Sequence, residues 1–265
     1  MSLPDTTSRA SSRRLPWLAA GQDFPPVQQA WGDADPAPGL LAAGETLDVA
    51  TLVRAYSRGI FPWFSQDQPV LWWSPDPRMV LQTRNFKLHR SLRRVVARFR
   101  SDPRCEIRID SAFAQVVDAC ACKARAGQSG TWIVPGMRHA YLDLHQAGCA
   151  HSVETWIDGE LAGGLYCVNL GGMVFGESMF AHQTDASKIA LAALVAFCRA
   201  SRIEMIDCQQ NTAHLASLGA GEISRAEFSN HLRCQVSQAA PAWRFDALQW
   251  DQILTGVSQT GPETP

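Results

Sequence analysis

The spacing of hydrophobic positions changes period along this chain. From Thr46 the apolar residues Leu47, Leu52, Val53 and Tyr56 fall at helical spacing, with Asp48 as cap before them and Gly59 as stop behind. Met79-Val80-Leu81 predicts a short strand, and Ser91 to Phe99 a helix on which Arg90, Arg94 and Arg98 share one face at four-residue spacing. Cys105 to Ile109 predicts a second strand, and helices are expected near Ala112 to Ala124 and Met137 to Ala147. From His151 the pattern turns to strands. Ser152 to Ile157 and Leu161 to Asn169 flank Asp158-Gly159, a tight-hairpin dipeptide, and Gly171-Gly172 offers another turn before Met173 to Phe175. Asp185 stands as the cap of a long apolar helix, Ala186 to Ala200, which leads to a strand at Ile203 to Ile206. Ser224-Arg225-Ala226-Glu227 is a capping box that opens a further helix.

This order divides the chain into an extended or partly disordered arm over residues 1–38, a small N-terminal α+β domain over 39–148, a strand-rich domain over 149–254 and a loose tail over 255–265. The arm is rich in Ser, Pro, Asp and Ala, and only Trp17, Phe24 and Trp31 offer it anything to bury. At 265 residues and 46% hydrophobic content the chain can bury a real core. No apolar run reaches the roughly 18 residues of a membrane span. The polar start, Met1 to Arg14, has no apolar segment behind its arginines, so a cytoplasmic protein is expected.

The 8 cysteines include no Cys-x-x-Cys pair, and the 7 histidines show no zinc-binding spacing. No metal and no cofactor are expected. A net charge of -1 conceals a local excess: Arg84, Lys87, Arg90, Arg93, Arg94, Arg98, Arg100 and Arg104 cluster around the single acid Asp102. Lys87, Lys123 and Lys188 are the only lysines among 24 basic residues, and a guanidinium fork matches phosphate geometry better than an ammonium does. The cluster is either a solvated helix face or a grip on a nucleic-acid backbone.

Gly59-Ile60-Phe61-Pro62-Trp63-Phe64 and Leu71-Trp72-Trp73-Ser74-Pro75-Asp76-Pro77-Arg78 concentrate rings and prolines. The prolines exclude a helix interior, which leaves an aromatic mini-core under a loop or a stiff surface on which a flat ligand stacks. Asp207 and Gln209 lie two residues apart at the end of an apolar strand. Strand alternation would point their side chains to the same side, where a carboxylate and an amide address one reacting centre; the alternative is an aspartate that only turns the chain.

Taken together, Arg58 to Ser65, Leu71 to Arg78, Gly130-Thr131-Trp132-Ile133, Ala150 to Glu154, Gly176 to Phe180, Asp185 to Lys188, Ile206 to Gln209 and Ala216 to Ala220 resemble the leucyl/phenylalanyl-tRNA-protein transferases from Gly39 to about Arg233. That family appends Leu or Phe from aminoacyl-tRNA to proteins with N-terminal Arg or Lys and so marks them for N-degron proteolysis. The resemblance implies a GNAT-like (acyl-CoA N-acyltransferase-type) second domain and a monomer with aminoacyl-tRNA and acceptor proteins as partners. It implies Asp207 and Gln209 as the catalytic pair, with Asp207 as base or positioner, and Glu177, just past the strand Met173 to Phe175, attracting the cationic acceptor. Leu165, Val174, Ser178, Met179 and Leu194 would form the aminoacyl pocket, Tyr56, Trp63 and Trp132 would meet the 3′ adenosine, and Arg90 and Arg94 would hold tRNA phosphates. Two departures stand out: Gly44-Glu45-Thr46-Leu47 replaces the family's Gly-Gly-Asp-Leu, and the N-terminal arm is longer.

Two rival classes make separate demands. A coenzyme A-dependent N-acyltransferase cradles pyrophosphate on a Gly-rich turn at a helix N-terminus, whereas Phe180 to Asp185 has no glycine and ends in an acid. A non-catalytic RNA-binding module needs only the arginine helix and exposed rings, and has no use for Asp207, Gln209 or Glu177.

Overall fold

The computed structural model describes residues 14–122 and 134–255. Trp132 and its motif, the first thirteen residues and the tail after residue 255 lie outside the described residues. Strands β1 (Trp17–Leu18), β2 (Leu40–Gly44), β3 (Phe61–Pro62) and β4 (Val70–Trp73) form a four-stranded sheet in the order β1-β2-β4-β3. Strands β5 (Arg78–Gln82), β6 (Cys105–Ile109), β7 (Ala150–Ile157), β8 (Glu160–Leu170), β9 (Met173–Ala181), β10 (Met205–Gln209) and β11 (Gly221–Ile223) form a seven-stranded sheet in the order β11-β5-β10-β9-β8-β7-β6. Helix α1 (Val49–Tyr56) follows β2, α2 (Arg90–Ser101) follows β5, and α3 (Phe113–Ala121) and α4 (Pro135–Gln146) lie between β6 and β7. Helix α5 (Ala186–Ala200) crosses from β9 to β10, and α6 (Ala213–Ser217), α7 (Arg225–Gln235) and α8 (Asp251–Leu254) follow. The class is mixed α and β, as the periods predict.

Local chemistry accounts for several of these elements. The Asp48 carboxylate accepts from the Thr51 N–H at 2.7 Å and so caps α1. Asp158 and Gly159 adopt φ of 53° and 77°, which the two-residue turn between β7 and β8 requires. Ser224 caps α7 through the Glu227 N–H. Asp185 departs from expectation: it precedes α5 with φ 64°, its side chain caps no N–H, and its carboxylate accepts instead from Lys188 Nζ at 2.8 Å.

Pairing in the large sheet is antiparallel except between β9 and β10, which the α5 crossover makes parallel. Alternation along β8 sends Tyr166 and Val168 into one core with Phe175, Tyr56, Tyr141 and Trp72, and Leu165 and Cys167 into another with α5, Leu81 and Ile206. Helices α3 and α4 pack on the first face; α5 covers the second, with α2 and α8 against it. The sheet takes β5 and β6 from before residue 148 and the other strands from after it, because its pairing joins segments that a change of period separates.

Part of the aromatic run forms the expected mini-core, and part stays half-exposed. Trp72 is buried edge-on to Phe24, with ring centroids 4.9 Å apart, while Trp63 sits edge-on to Trp73, whose indole N–H donates to the Trp63 carbonyl at 2.7 Å. Phe24 thus packs the described part of the arm against the small sheet, and β1 adds a strand beside β2. Trp17 is 54% exposed, and the neighbouring Leu18 is buried. Among the described residues no helix is long and apolar enough to cross a membrane.

Glu154, in one of the motifs above, has a structural role. Its carboxylate is fully buried and accepts from Ser111 Oγ, the Ala112 N–H at 2.8 Å, Ser152 Oγ at 2.7 Å and Trp156 Nε1 at 2.9 Å, which ties the start of α3 to β7. Removing it strands several buried donors at once, so Glu154→Ala should lower stability by about 3 kcal/mol or more. The shift of the urea unfolding midpoint measures this.

Candidate active site

A cleft of about 540 Å³ opens where β9 and β10 part. Their parallel ladder pairs Val174 with Ile206 and Phe175 with Asp207 and runs no further. Just beyond, each strand bulges. In β9, Gly176 and Ser178 face consecutive residues of β8, which leaves Glu177 as the extra residue. In β10, Asp207 and Gln209 face consecutive residues of β5, and Gln209 takes a left-handed φ of 63°. A bulge re-aims the side chains beside it. Here the two bulges bring Gln209 Nε2 to within 2.9 Å of Glu177 Oε1.

Glu177 is the one carboxylate among the described side chains that line the cleft. Tyr56 Oη donates to its Oε1 at 2.8 Å and Tyr141 Oη to its Oε2 at 2.7 Å, and the two hydroxyls are themselves 2.8 Å apart. Burial pushes the Glu177 carboxyl up to about 7, against the partial relief of these hydrogen bonds, and the nearby Asp207 charge adds to the rise. Burial, and then the Glu177 charge, hold both tyrosine hydroxyls well above their ordinary range, so they remain neutral donors. Leu165, Met179, Leu191, Leu194 and Ile206 supply an apolar wall, with Ser178 and Ser187 beside it. Phe61, Pro62 and Trp63 form an aromatic wall, and Thr212, His214 and Leu215 line the side nearest α6. Cys208 also lines the cleft, but burial and the Asp207 charge raise its thiol far above neutrality, which removes it as a thiolate nucleophile.

Three expectations need correction. Asp207 and Gln209 do not address one centre from one side. The bulge and the left-handed Gln209 break the alternation, and Asp207 is fully buried, facing away from the cleft. Its carboxylate is bound edge to edge by Arg78, with Nε to Oδ1 at 2.8 Å and Nη2 to Oδ2 at 2.6 Å, and Oδ1 also accepts the Gln209 N–H at 2.9 Å. Tyr56 is no exposed stacking platform: its ring is buried against Phe175 and its hydroxyl is engaged by Glu177 and Tyr141. Val174 is fully buried in the core beneath α5 and does not line the cleft, because it precedes the bulge and keeps regular alternation.

Of the other expected residues that are described, all but Arg90 and Arg94 come together. Leu165, Glu177, Ser178, Met179, Leu194, Gln209 and Trp63 all line the cleft, although Glu177 lies within β9, which extends to Ala181, and not in a loop after it. Arg90 and Arg94 are exposed on α2 and form no ion pair with another described residue. The start of α2 is joined to the cleft by α6: the His89 ring nitrogen Nε2 lies 2.7 Å from the Ser217 carbonyl and the Lys87 N–H donates to the Leu218 carbonyl. Tyr141 and the partnership of Arg78 with Asp207 were not anticipated. Tyr141 sits on the apolar face of α4 and carries no local signal of its role.

Asp110, His145 and His151 offer ligand atoms within 4.8 Å of one another, apart from the cleft-lining residues. One ring nitrogen of each histidine is engaged, His145 Nδ1 with the Ala150 carbonyl and His151 Nδ1 with Asp110 Oδ2, each at 2.7 Å, while the buried His151 Nε2 has no hydrogen-bond partner among the described residues. The arrangement is that of a hydrogen-bonded cluster.

Comparison with known proteins shows the family. Residues 80–233 match the family model described as leucyl/phenylalanyl-tRNA protein transferase, and residues 45–76 match the model of its N-terminal domain. The chain belongs to this family. Proteins named leucyl/phenylalanyl-tRNA--protein transferase from Polaromonas sp. and Albidiferax ferrireducens are 68% and 64% identical to it, over 94% and 93% of this chain and 98% and 97% of theirs. A relative of the same name from Leptothrix cholodnii is 57% identical over 95% of this chain and 98% of its own. The core family match begins within β5, at the strand that carries Arg78, and contains both bulges and α2.

The Glu177 environment has a measurable consequence. A carboxyl whose folded pKa lies above its unfolded value favours the folded state at low pH, and that contribution is lost as pH rises from 4.5 to about 7. Glu177→Gln keeps an acceptor and removes the titration. The melting temperature of the variant minus that of the parent should therefore be near zero at acid pH, grow through this window and level off above it.

Proposed function

We propose that this protein transfers Leu or Phe, and Met less readily, from aminoacyl-tRNA to the α-amine of proteins whose first residue is Arg or Lys. The observation that carries this reading is the meeting, in one cleft, of an apolar wall, an aromatic wall and a half-buried carboxylate, in a chain of this family. The Leu or Phe side chain lies against Leu165, Met179 and Leu194, where methionine adapts to either shape. The 3′ adenosine stacks on Trp63 of the aromatic wall, which places the aminoacyl ester beside Glu177 and Gln209. Ionised Glu177 attracts the cationic acceptor.

The reaction then needs little more than position. The acceptor amine nitrogen bonds to the ester carbonyl carbon, the bond from that carbon to the ribose oxygen breaks, and the amine proton ends on the released hydroxyl. An α-amine with a pKa of about 7.7 to 8.0 is partly free base at neutral pH. An activated ester held about 3 to 3.5 Å from it reacts largely through effective molarity. Asp207 acts in this scheme as a positioner and not as the base, since Arg78 occupies both of its oxygens.

The exposed Arg90 and Arg94 take acceptor-stem phosphates as the stem leaves the cleft across α6. Such contacts carry no sequence information, so the amino acid selects the substrate. The β9-α5-β10 unit, parallel and parting at paired bulges, supports a GNAT-like core. The small four-stranded sheet shares a core with it, Leu41 and Trp72 lying in the same cluster as Tyr166 and Phe175. On this reading the protein is a cytoplasmic monomer that marks its acceptors for N-degron proteolysis.

Charged leucyl-tRNA mixed with a peptide beginning with Arg should lose its leucine to the peptide in the presence of this protein, while a peptide beginning with Met should not react. Binding without transfer would sink the proposal in favour of a simple RNA-binding module. Separately, Arg90→Ala with Arg94→Ala should weaken tRNA binding and flatten its dependence on log salt by about 2, near 0.9 per lost phosphate contact. Filter binding between low and moderate salt measures both.

A further inference from the structure

Arg78 is buried at the junction of three elements. Its guanidinium, 1% exposed, grips the Asp207 carboxylate at the end of β10, donates through Nη1 to the Gly59 carbonyl at 3.1 Å, and lies 4.7 Å from the ring centroids of both Phe61 and Phe228. Phe61 belongs to the aromatic wall of the cleft, Gly59 to the turn that leads into it and Phe228 to α7. Neither Arg78 nor Asp207 lines the cleft.

We propose that Arg78 is a positioning residue for aminoacyl transfer: through Asp207 it holds Gln209 against Glu177, and through Phe61 it sets the aromatic wall opposite them. This rests on the function proposed above and adds a part to it. The physical argument begins with Gln209. An L-residue at φ 63° resists that conformation, and here the Asp207 oxygen that accepts the Gln209 N–H helps to hold it there. With that bond in place the Gln209 side-chain amide reaches Glu177. Without it the residue is free to return to extended geometry, which turns its side chain across the strand and away from the carboxylate.

The same guanidinium acts on the other wall. Its faces lie over Phe61 and Phe228, so a shift of Arg78 moves Phe61 relative to Gln209 and Glu177. The distance between the walls is the distance between the bound ester and the incoming amine.

A purely structural ion pair would behave differently. Buried pairs of this kind contribute little net stability, and apolar residues of similar volume often replace them without loss. What apolar residues lack is the directional fork that fixes Asp207 and, through it, Gln209. The pair can therefore be tested by removing the charges together while keeping the volume.

The test compares the parent with Arg78→Met/Asp207→Leu and with Arg78→Lys, which keeps a charge but not the fork. Urea unfolding, tRNA affinity, transfer kinetics with leucyl-tRNA and an Arg-initial peptide, and hydrogen exchange at Gln209 are read for each. We expect the double variant to unfold near the parent's midpoint and bind tRNA as the parent does, while kcat falls about 100-fold, the scale of a misplacement near 1 Å. The Gln209 N–H should exchange faster while the rest of β10 stays protected. Arg78→Lys should lower kcat more than tenfold with little change in KM for leucyl-tRNA.

A folded double variant that transfers within threefold of the parent would overturn the assignment, and so would unchanged exchange at Gln209. If the double variant does not fold, Arg78→Lys decides alone, and parental kcat in that variant overturns the proposal. A parent protein that transfers no leucine would instead refute the proposed function. The exchange measurement would still report whether Arg78 holds Gln209.

Discussion

Two strands that run parallel for one short ladder and then part are the constraint on which the site depends. Parallel pairing of β9 with β10 requires a crossover, and α5 supplies it with a body of small and branched apolar residues buried beneath the sheet. Beyond Phe175 and Asp207 the ladder stops, and a bulge in each strand takes up the extra backbone. A cleft between two strands of one sheet would ordinarily expose unpaired peptide groups. Here its walls are closed by side chains from β3, α5 and α6. The bulges that open the gap are also the devices that turn Glu177 and Gln209 toward each other.

Three buried or half-buried carboxylates show how differently the fold treats the same group. Glu154 accepts hydrogen bonds from four neutral donors and stitches β7 to the start of α3. Asp207 is matched by a guanidinium fork in a dry interior and reaches the cleft only through the Gln209 backbone. Glu177 receives three neutral donors and no cation among the described residues, and it alone faces the cleft. A carboxylate with no positive partner inside the protein is the one left to receive a positive group from outside. That distinction follows from the partners of each acid, which lie far apart in the chain.

The arginine helix follows a similar logic in its two faces. Arg93 and Arg100 turn inward to the C-terminal segment, binding the Leu254 carbonyl and Asp251. Arg90 and Arg94 remain exposed. The helix is thus braced on one side and presents unneutralised charge on the other, and the chain just before it is tied to the end of α6. The match of the family model over residues 80–233 includes this helix along with both bulges.

Much of the frame was legible in the residues alone. The cap at Asp48, the Asp158-Gly159 hairpin and the bounds of α5 and β6 follow from local propensities, which need only neighbours in sequence. Family membership was legible for a related reason, since its motifs are short local strings. The small sheet was not, because Leu40–Gly44 is apolar on both faces and shows no alternation, and β3 and β4 are paired across prolines that hide them as strands. Nor was the division of labour among the acids. Asp207 and Gln209 read as a pair on the assumption of regular alternation, and only the bulge, the left-handed Gln209 and the distant Arg78 reversed it. The sequence by itself determined which segments become helix or strand and which chemistry the chain carries. The tertiary structure decided which of those groups face the cleft, because register, bulges and ion pairing join residues far apart along the chain, and no local pattern records them.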